Sequence, residues 1–197
     1  MISLFSTISF ILISTFTPGP SNISSASVAI LHGYKHTLKY QAGLACGVFL
    51  LMFLSGLSSA ALLKIFPALE PVLRYAGATY ILYLAFGILK ASYNFTERDV
   101  KSFEFSHGIM LNVLNPKLYV YTFTLFSTFL ASVNQNIPTL IIVAIALAAV
   151  SFCATSTWAL FGTGIKTYLH NPRQQMILNI ALSLLLVYAA ISLLEIF

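Results

Sequence analysis

Residues 15–22 read "TFTPGPSN", set between the apolar runs "ISLFSTISFILIS" (2–14) and "ISSASVAIL" (23–31). As one straight helix, Ile2–Leu31 would measure ~45 Å at ~1.5 Å per residue, too long for a ~30 Å hydrocarbon core without strong tilt. Pro18 and Pro20 lack the backbone N–H and clash with the preceding turn, so the helix is expected to stop and restart here. Proline is tolerated at the first position of a helix, which makes Pro20 the expected start of the second half. Such a break leaves carbonyls free on one side and N–H groups free on the other. In hydrocarbon these must be satisfied by protein, water or ligand, and the N–H end suits an anion.

Composition supports a membrane environment. The chain is 58% hydrophobic and 8% charged, against roughly 25% charged in an ordinary soluble domain. The ten Lys and Arg are scattered near helix ends, with no basic cluster interleaved with aromatics to follow a phosphate backbone, so nucleic acid is not an expected partner. The first lysine is Lys35, and the N-terminal run lacks the basic start and small-residue cleavage site of a secretory signal, so it is read as a retained span. Cys46 and Cys153 fall in apolar stretches, where a thiol packs as a small hydrophobe.

Six apolar spans follow from the ~20-residue requirement: Ile2–Leu31 (broken), Tyr40–Leu63, Val72–Ala91, Gly108–Ala131, Ile137–Gly164 and Gln175–Ile196. They are separated by "HGYKHTLK", "KIFPALEP", "SYNFTERDVKSFEFSH", "SVNQN" and "IKTYLHNPRQ". The odd-numbered connections carry Lys35, Lys39, Lys90, Arg98, Lys101, Lys166 and Arg173, and the even side only Lys64 and Arg74. Seven against two places the odd connections in the cytoplasm and both termini outside. The halves also echo each other. "FTPGPSN" is matched by "LNPKLY", and "PVLRYAGATYILYLAFGIL" by "QQMILNIALSLLLVYAAISLL", with Tyr83 opposite Tyr188. Three spans per unit is odd, so the second unit is expected upside down. The expected fold is all-α and integral to the membrane: six transmembrane helices forming one transporter domain over 1–197. They make two inverted three-helix repeats (about 1–93 and 101–197), the first and fourth helices broken at Pro18 and Pro116. In folds of this kind substrate sits near the midplane, at the repeat interface.

The second break adds a cation, Lys117, directly after Pro116. A charge at membrane depth is costly and marks a functional site by default; the alternative is that it snorkels to the interface. Asn22, Asn112 and Asn115 supply amides near the breaks, either for substrate or as caps of the half-helices. The candidate site is therefore Thr17, Pro18, Gly19, Pro20, Ser21 and Asn22 from the first break, with Asn112, Asn115, Pro116, Lys117 and Tyr121 from the second. An anion-binding end beside neutral acceptors suits a small zwitterion better than a hydrophobic drug or a bare metal ion. Among the tyrosines, Tyr80, Tyr83, Tyr119, Tyr121 and Tyr188 either line a cavity or belt the interface.

At these residues the sequence resembles the LysE/RhtB family of amino-acid exporters. The family's marks are an early TPGP followed by Asn, glycine spacing through the second span, and NPK in the fourth. Here they stand as "TPGPSN", "HGYKHTLKYQAGLACG" and "LNPKLYVY", and "AGATYILYLAFGIL" extends the resemblance over nearly the whole chain. It is strongest to the branch that exports cysteine and O-acetylserine, through "HGYKHTLKYQAG", "NPKLYVYTFTLFSTF" and "LLLVYAAISLLEIF". Ser21 replaces the more usual Asn after PGP, so Asn22 alone carries that role. The resemblance implies secondary active export of small amino acids or derivatives (cysteine and O-acetylserine, or homoserine and threonine) across the bacterial inner membrane. Proton exchange is the implied coupling, with no cofactor and no enzymatic activity; a homodimer is left open.

Other signals point less sharply. Glu70, Glu97, Asp99, Glu104 and Glu195 all fall in connections or at span ends, so no carboxylate is evident as a mid-membrane proton carrier; Lys117 and His107 are the remaining titratable candidates. His32 and His36 are four apart, a spacing that binds metal on one helical face, but in a basic Gly-containing connection they read as solvated and no metal is expected. Gly43 and Gly47 form a GxxxG that normally marks close helix packing, and Gly77 beside Ala76 reads the same way. No arrangement of Ser, His and acid suggests a hydrolase. A non-transporting membrane assembly or lipid-interaction module, and a passive pore, are the alternatives to an exporter.

Overall fold

The computed structural model describes residues 4–57, 59–93, 103–130, 136–168 and 172–195. Every regular element among them is helical: α1 (Leu4–Phe16), α2 (Pro20–His32), α3 (Tyr34–Leu57), α4 (Ser59–Tyr93), α5 (Phe105–Val113), α6 (Pro116–Thr124), α7 (Ile137–Tyr168) and α8 (Pro172–Glu195). A π-helical turn, Leu125–Phe129, prolongs α6. Tyr34–Leu57 and Ile137–Ile165 are long and apolar enough to cross a membrane, and Leu4–Phe16, Tyr75–Leu89 and Met176–Ser192 are shorter apolar stretches.

Two connections differ from the sequence reading. "HGYKHTLK" is not an extended loop: α2 runs through His32 and α3 starts at Tyr34, with Gly33 alone between them. Gly33 has φ +80°, which glycine adopts without a Cβ penalty, so the chain turns in one residue. "KIFPALEP" lies inside α4 despite Pro67 and Pro71; where water is scarce a helix keeps backbone groups paired that a loop would strand. Glu97, Arg98, Asp99 and Lys101 lie outside the described residues.

The distribution of side chains is the reverse of a soluble domain. Phe5, Phe86, Ile142, Leu184 and Tyr188 are turned outward and exposed, while Ser25, Ser27, Thr37, Gln41, Asn112 and Thr122 are buried. Exposed apolar surface on this scale is what a lipid-facing perimeter requires. At the centre lies α2, with ten of its thirteen residues buried and α3, α4, α7 and α8 around it. Its four inward serines keep their hydroxyls paired inside the protein: Ser25 and Ser27 donate to the carbonyls one turn back, and Ser24 meets the Tyr40 hydroxyl at 2.8 Å. Ser21 reaches outside the helix, as described below.

The register between α3 and α7 runs in opposite directions. Gln41 Nε2 donates to the Thr155 carbonyl at 3.2 Å and its Oε1 accepts from Ser156 at 3.1 Å. Further along α3, Val48 and Leu147 share one core cluster, and Gly56 abuts Leu140. Numbers rise on one helix as they fall on the other, so the pair is antiparallel. The helix contacts include α1 with α7 and α5 with α3, α2 with α7 and α6 with α3, α2 with α8 and α6 with α4, together with α3–α7 and α4–α8. Exchanging α1–α4 for α5–α8 maps these pairs onto one another, whereas α2–α3 and α2–α4 have no counterpart of similar extent among the described residues.

Close backbone approach explains the glycines. A Cβ at Gly43 would lie 2.0 Å from the Phe105 carbonyl oxygen, and one at Gly108 would lie 2.3 Å from that of Tyr40, so α3 and α5 touch through their main chains as small-residue interfaces allow. Gly108→Val is expected to prevent this approach and lower the thermal midpoint of the detergent-solubilised protein sharply, since overpacking typically costs ~1–3 kcal/mol or more. Gly164→Ala, where nothing lies within 4 Å of the added atom, should leave the midpoint unchanged.

Candidate functional site

The site is built from two interrupted helices. α1 ends at Phe16 and α2 begins at Pro20, with Gly19 fully extended between them (φ −167°, ψ 175°). Pro18 has no N–H, so the Ser14 carbonyl loses its helical donor. Pro20 removes the donor for the Phe16 carbonyl, which accepts instead from the Trp158 indole Nε1 at 3.2 Å. Thr17 closes the last turn, its backbone N–H and its hydroxyl both donating to the Ile13 carbonyl. The Asn22 amide reaches back across the gap and donates to the carbonyls of Thr15 (2.9 Å) and Thr17 (3.0 Å). No side chain caps α2, which leaves the Ser21 and Asn22 N–H groups at the positive end of the helix dipole.

The second break has the same form. α5 ends at Val113 and α6 begins with Pro116 at its first position. Asn115 caps α6, its Oδ1 accepting from the Lys117 N–H at 3.1 Å. A Cβ at Gly77 would lie 2.1 Å from the Leu114 carbonyl, so α4 passes directly against the interruption.

Tertiary packing brings the breaks together. Ser21 Oγ donates to Asn112 Oδ1 at 2.7 Å, and Asn112 Nδ2 donates to the Leu44 carbonyl at 2.7 Å, so one buried amide ties α2, α5 and α3. The Lys117 side chain extends to the first break: a Cβ placed at Gly19 would stand 3.2 Å from its Nζ. Around this point opens a small cleft of ≈ 70 Å³. Lys117 is the one charged residue among those lining it, and no carboxylate contributes.

Of the residues expected from sequence, Thr17, Gly19, Pro20, Ser21, Asn22, Asn112, Asn115, Lys117 and Tyr121 line this one cleft. Pro18 and Pro116 do not; they shape the chain behind it. Lys117 reaches across to the other break, and Asn115 acts as a cap. Ser14, Thr15, Val48, Leu118, Leu147 and Ser151 also line the cleft and were not singled out from sequence. Ser14 was findable, because it stands four residues before Pro18 and its carbonyl is the one that proline deprives. Ser151 lies in mid-helix on α7, and nothing local marks it.

The LysE type translocator family profile matches residues 12–195. Among curated proteins, the chain is 33% identical over 182 residues to the "Cysteine/O-acetylserine efflux protein" of Escherichia coli (strain K12), covering 92% of each chain. The proteins of the same name from Shigella sonnei (strain Ss046) and Shigella flexneri match with the same identity and coverage. No solved structure matches the chain.

Asn112 has both ends of its amide committed and is buried, so its removal leaves the Ser21 hydroxyl without its acceptor and breaks the tie to α3 at Leu44. Asn112→Ala is expected to destabilise the protein by about 1–3 kcal/mol, measurable as a lower midpoint in thermal unfolding.

Proposed function

The chain belongs to the LysE type translocator family, and from that premise we propose that it is a secondary active exporter of small amino acids or their derivatives from the bacterial cytoplasm. Two inverted three-helix repeats, about 1–93 and 101–197, alternate access to a shared site, with proton exchange as the coupling. The antiparallel α3–α7 register and the helix pairs that the two halves share, such as α1–α7 with α5–α3 and α2–α8 with α6–α4, support inverted repeats. Equivalent helices run in opposite directions when their repeats are related by an axis in the membrane plane.

One observation carries the reading: the Lys117 ammonium stands beside Gly19, at the uncapped N-terminus of α2. Cation and N–H donors converge there, which is the provision a substrate carboxylate needs. Behind it the α1 carbonyls, foremost that of Ser14, offer acceptors for an α-ammonium. Asn22 orders this end by holding the Thr15 and Thr17 carbonyls, and Asn112 fixes α2 against α5. Both are positioning residues in this scheme. The relatives named as cysteine/O-acetylserine efflux proteins support cysteine and O-acetylserine as the first substrates to test, with homoserine and threonine next.

Lys117→Ala is expected to abolish efflux from overexpressing cells while membrane insertion stays normal, checked by export assay and membrane immunoblot; wild-type export by that variant would overturn the site assignment. Flux in proteoliposomes should respond to an imposed proton gradient, whereas gradient-insensitive flux would indicate a passive pore.

A further inference from the structure

Helical Ser and Thr hydroxyls in this protein characteristically donate to a carbonyl one turn back, as Ser25, Ser27, Thr37 and Thr157 do. This is the usual way to satisfy a hydroxyl away from water. Ser14 and Ser151 depart from that habit. Neither hydroxyl bonds to any described residue, and both line the cleft.

Their position along the cleft can be read from neighbouring contacts. α6 runs beside α1 with Lys117 level with Gly19. One turn on, Tyr121 contacts the Thr15 side chain and stacks on Phe10 with ring centroids 5.7 Å apart. Ser14 therefore sits about one turn, ~6 Å, from the cationic end. Ser151 lies two turns before Trp158, whose indole meets the Phe16 carbonyl. Its neighbours Leu147 and Ala148 share a cluster with Phe10 and Ile11, so it too is level with the body of α1 and not with the break.

We infer that Ser14 and Ser151 are specificity-determining residues that read the substrate side chain. They select amino acids whose β-substituent is neutral and hydrogen-bonding, such as a hydroxyl, a thiol or an ester. The inference rests on the substrate site proposed above. Val48, Leu118 and Leu147 add apolar lining to the same cleft, and the Thr15 and Tyr121 side chains, which also line it, are engaged with each other. A cationic side chain finds no carboxylate there and meets the field of Lys117, so diamino acids are rejected.

Trp158 is the sole tryptophan of the chain and reports on the α1 end of the cleft. The test is its fluorescence in the purified full-length protein, titrated with L-serine, the isosteric L-2-aminobutyrate and L-2,4-diaminobutyrate, with proteoliposome flux measured in parallel. Wild type should prefer serine to 2-aminobutyrate by about three- to tenfold, the worth of one net hydrogen bond, and should bind diaminobutyrate more weakly than either. Ser151→Ala and Ser14→Ala should each reduce the serine preference while binding of 2-aminobutyrate persists, and Ser151→Thr should retain it. An unchanged preference in both alanine variants, or diaminobutyrate binding as tight as serine, overturns the inference. Binding without flux would defeat the exporter reading while the preference ratio still judges these residues. No binding of any of the three would defeat both.

Discussion

A proline has no N–H to give, and inside an apolar protein no water stands ready to replace it. Pro18, Pro20 and Pro116 impose this deficit at two places, and much of the surrounding architecture answers it. Trp158 supplies a donor to Phe16, the Asn22 amide bridges back to Thr15 and Thr17, and the Asn115 backbone N–H takes up the Asn112 carbonyl that Pro116 would deprive. Among the described residues these answers do not reach the Ser14 carbonyl or the N–H groups of Ser21 and Asn22, and in the proposed scheme that polarity serves the ligand. The cost of interrupting a helix in this setting is thereby turned into a binding surface with an acceptor end and a donor end.

That surface depends on close helix packing. Glycines let α5 lie against α3 and let α4 pass beneath the second break, where a single methyl would collide with a carbonyl. These approaches hold the two interruptions close enough for Lys117 to reach Gly19 and for Asn112 to link three helices. The polar side chains of α2 are enclosed while leucine, isoleucine and phenylalanine face outward. A membrane supplies no hydrophobic drive to bring helices together, so small residues and internal hydrogen bonds carry the association instead.

The breaks, the cation and the amides were legible in "TFTPGPSN" and "LNPKLY" because helix breakers act locally and a buried charge is conspicuous by chemical type. The one-residue turn at Gly33 and the passage of α4 through Pro67 and Pro71 were not legible. A charged, proline-bearing stretch reads as a loop until its neighbours are known. Ser151 was hidden for a different reason. A serine in a helix is ordinary, and only the absence of its expected bond to a carbonyl, judged against the wall it faces, distinguishes it.

By itself the sequence determined an all-helical, apolar chain with two proline-made interruptions, because missing N–H donors and long hydrophobic runs constrain the backbone whatever surrounds them. Only the tertiary structure decided that the interruptions meet in one cleft, that Lys117 crosses from one to the other, and which hydroxyl-bearing residues line it. Those outcomes depend on contacts between residues about a hundred positions apart, and no local pattern encodes the distance between them.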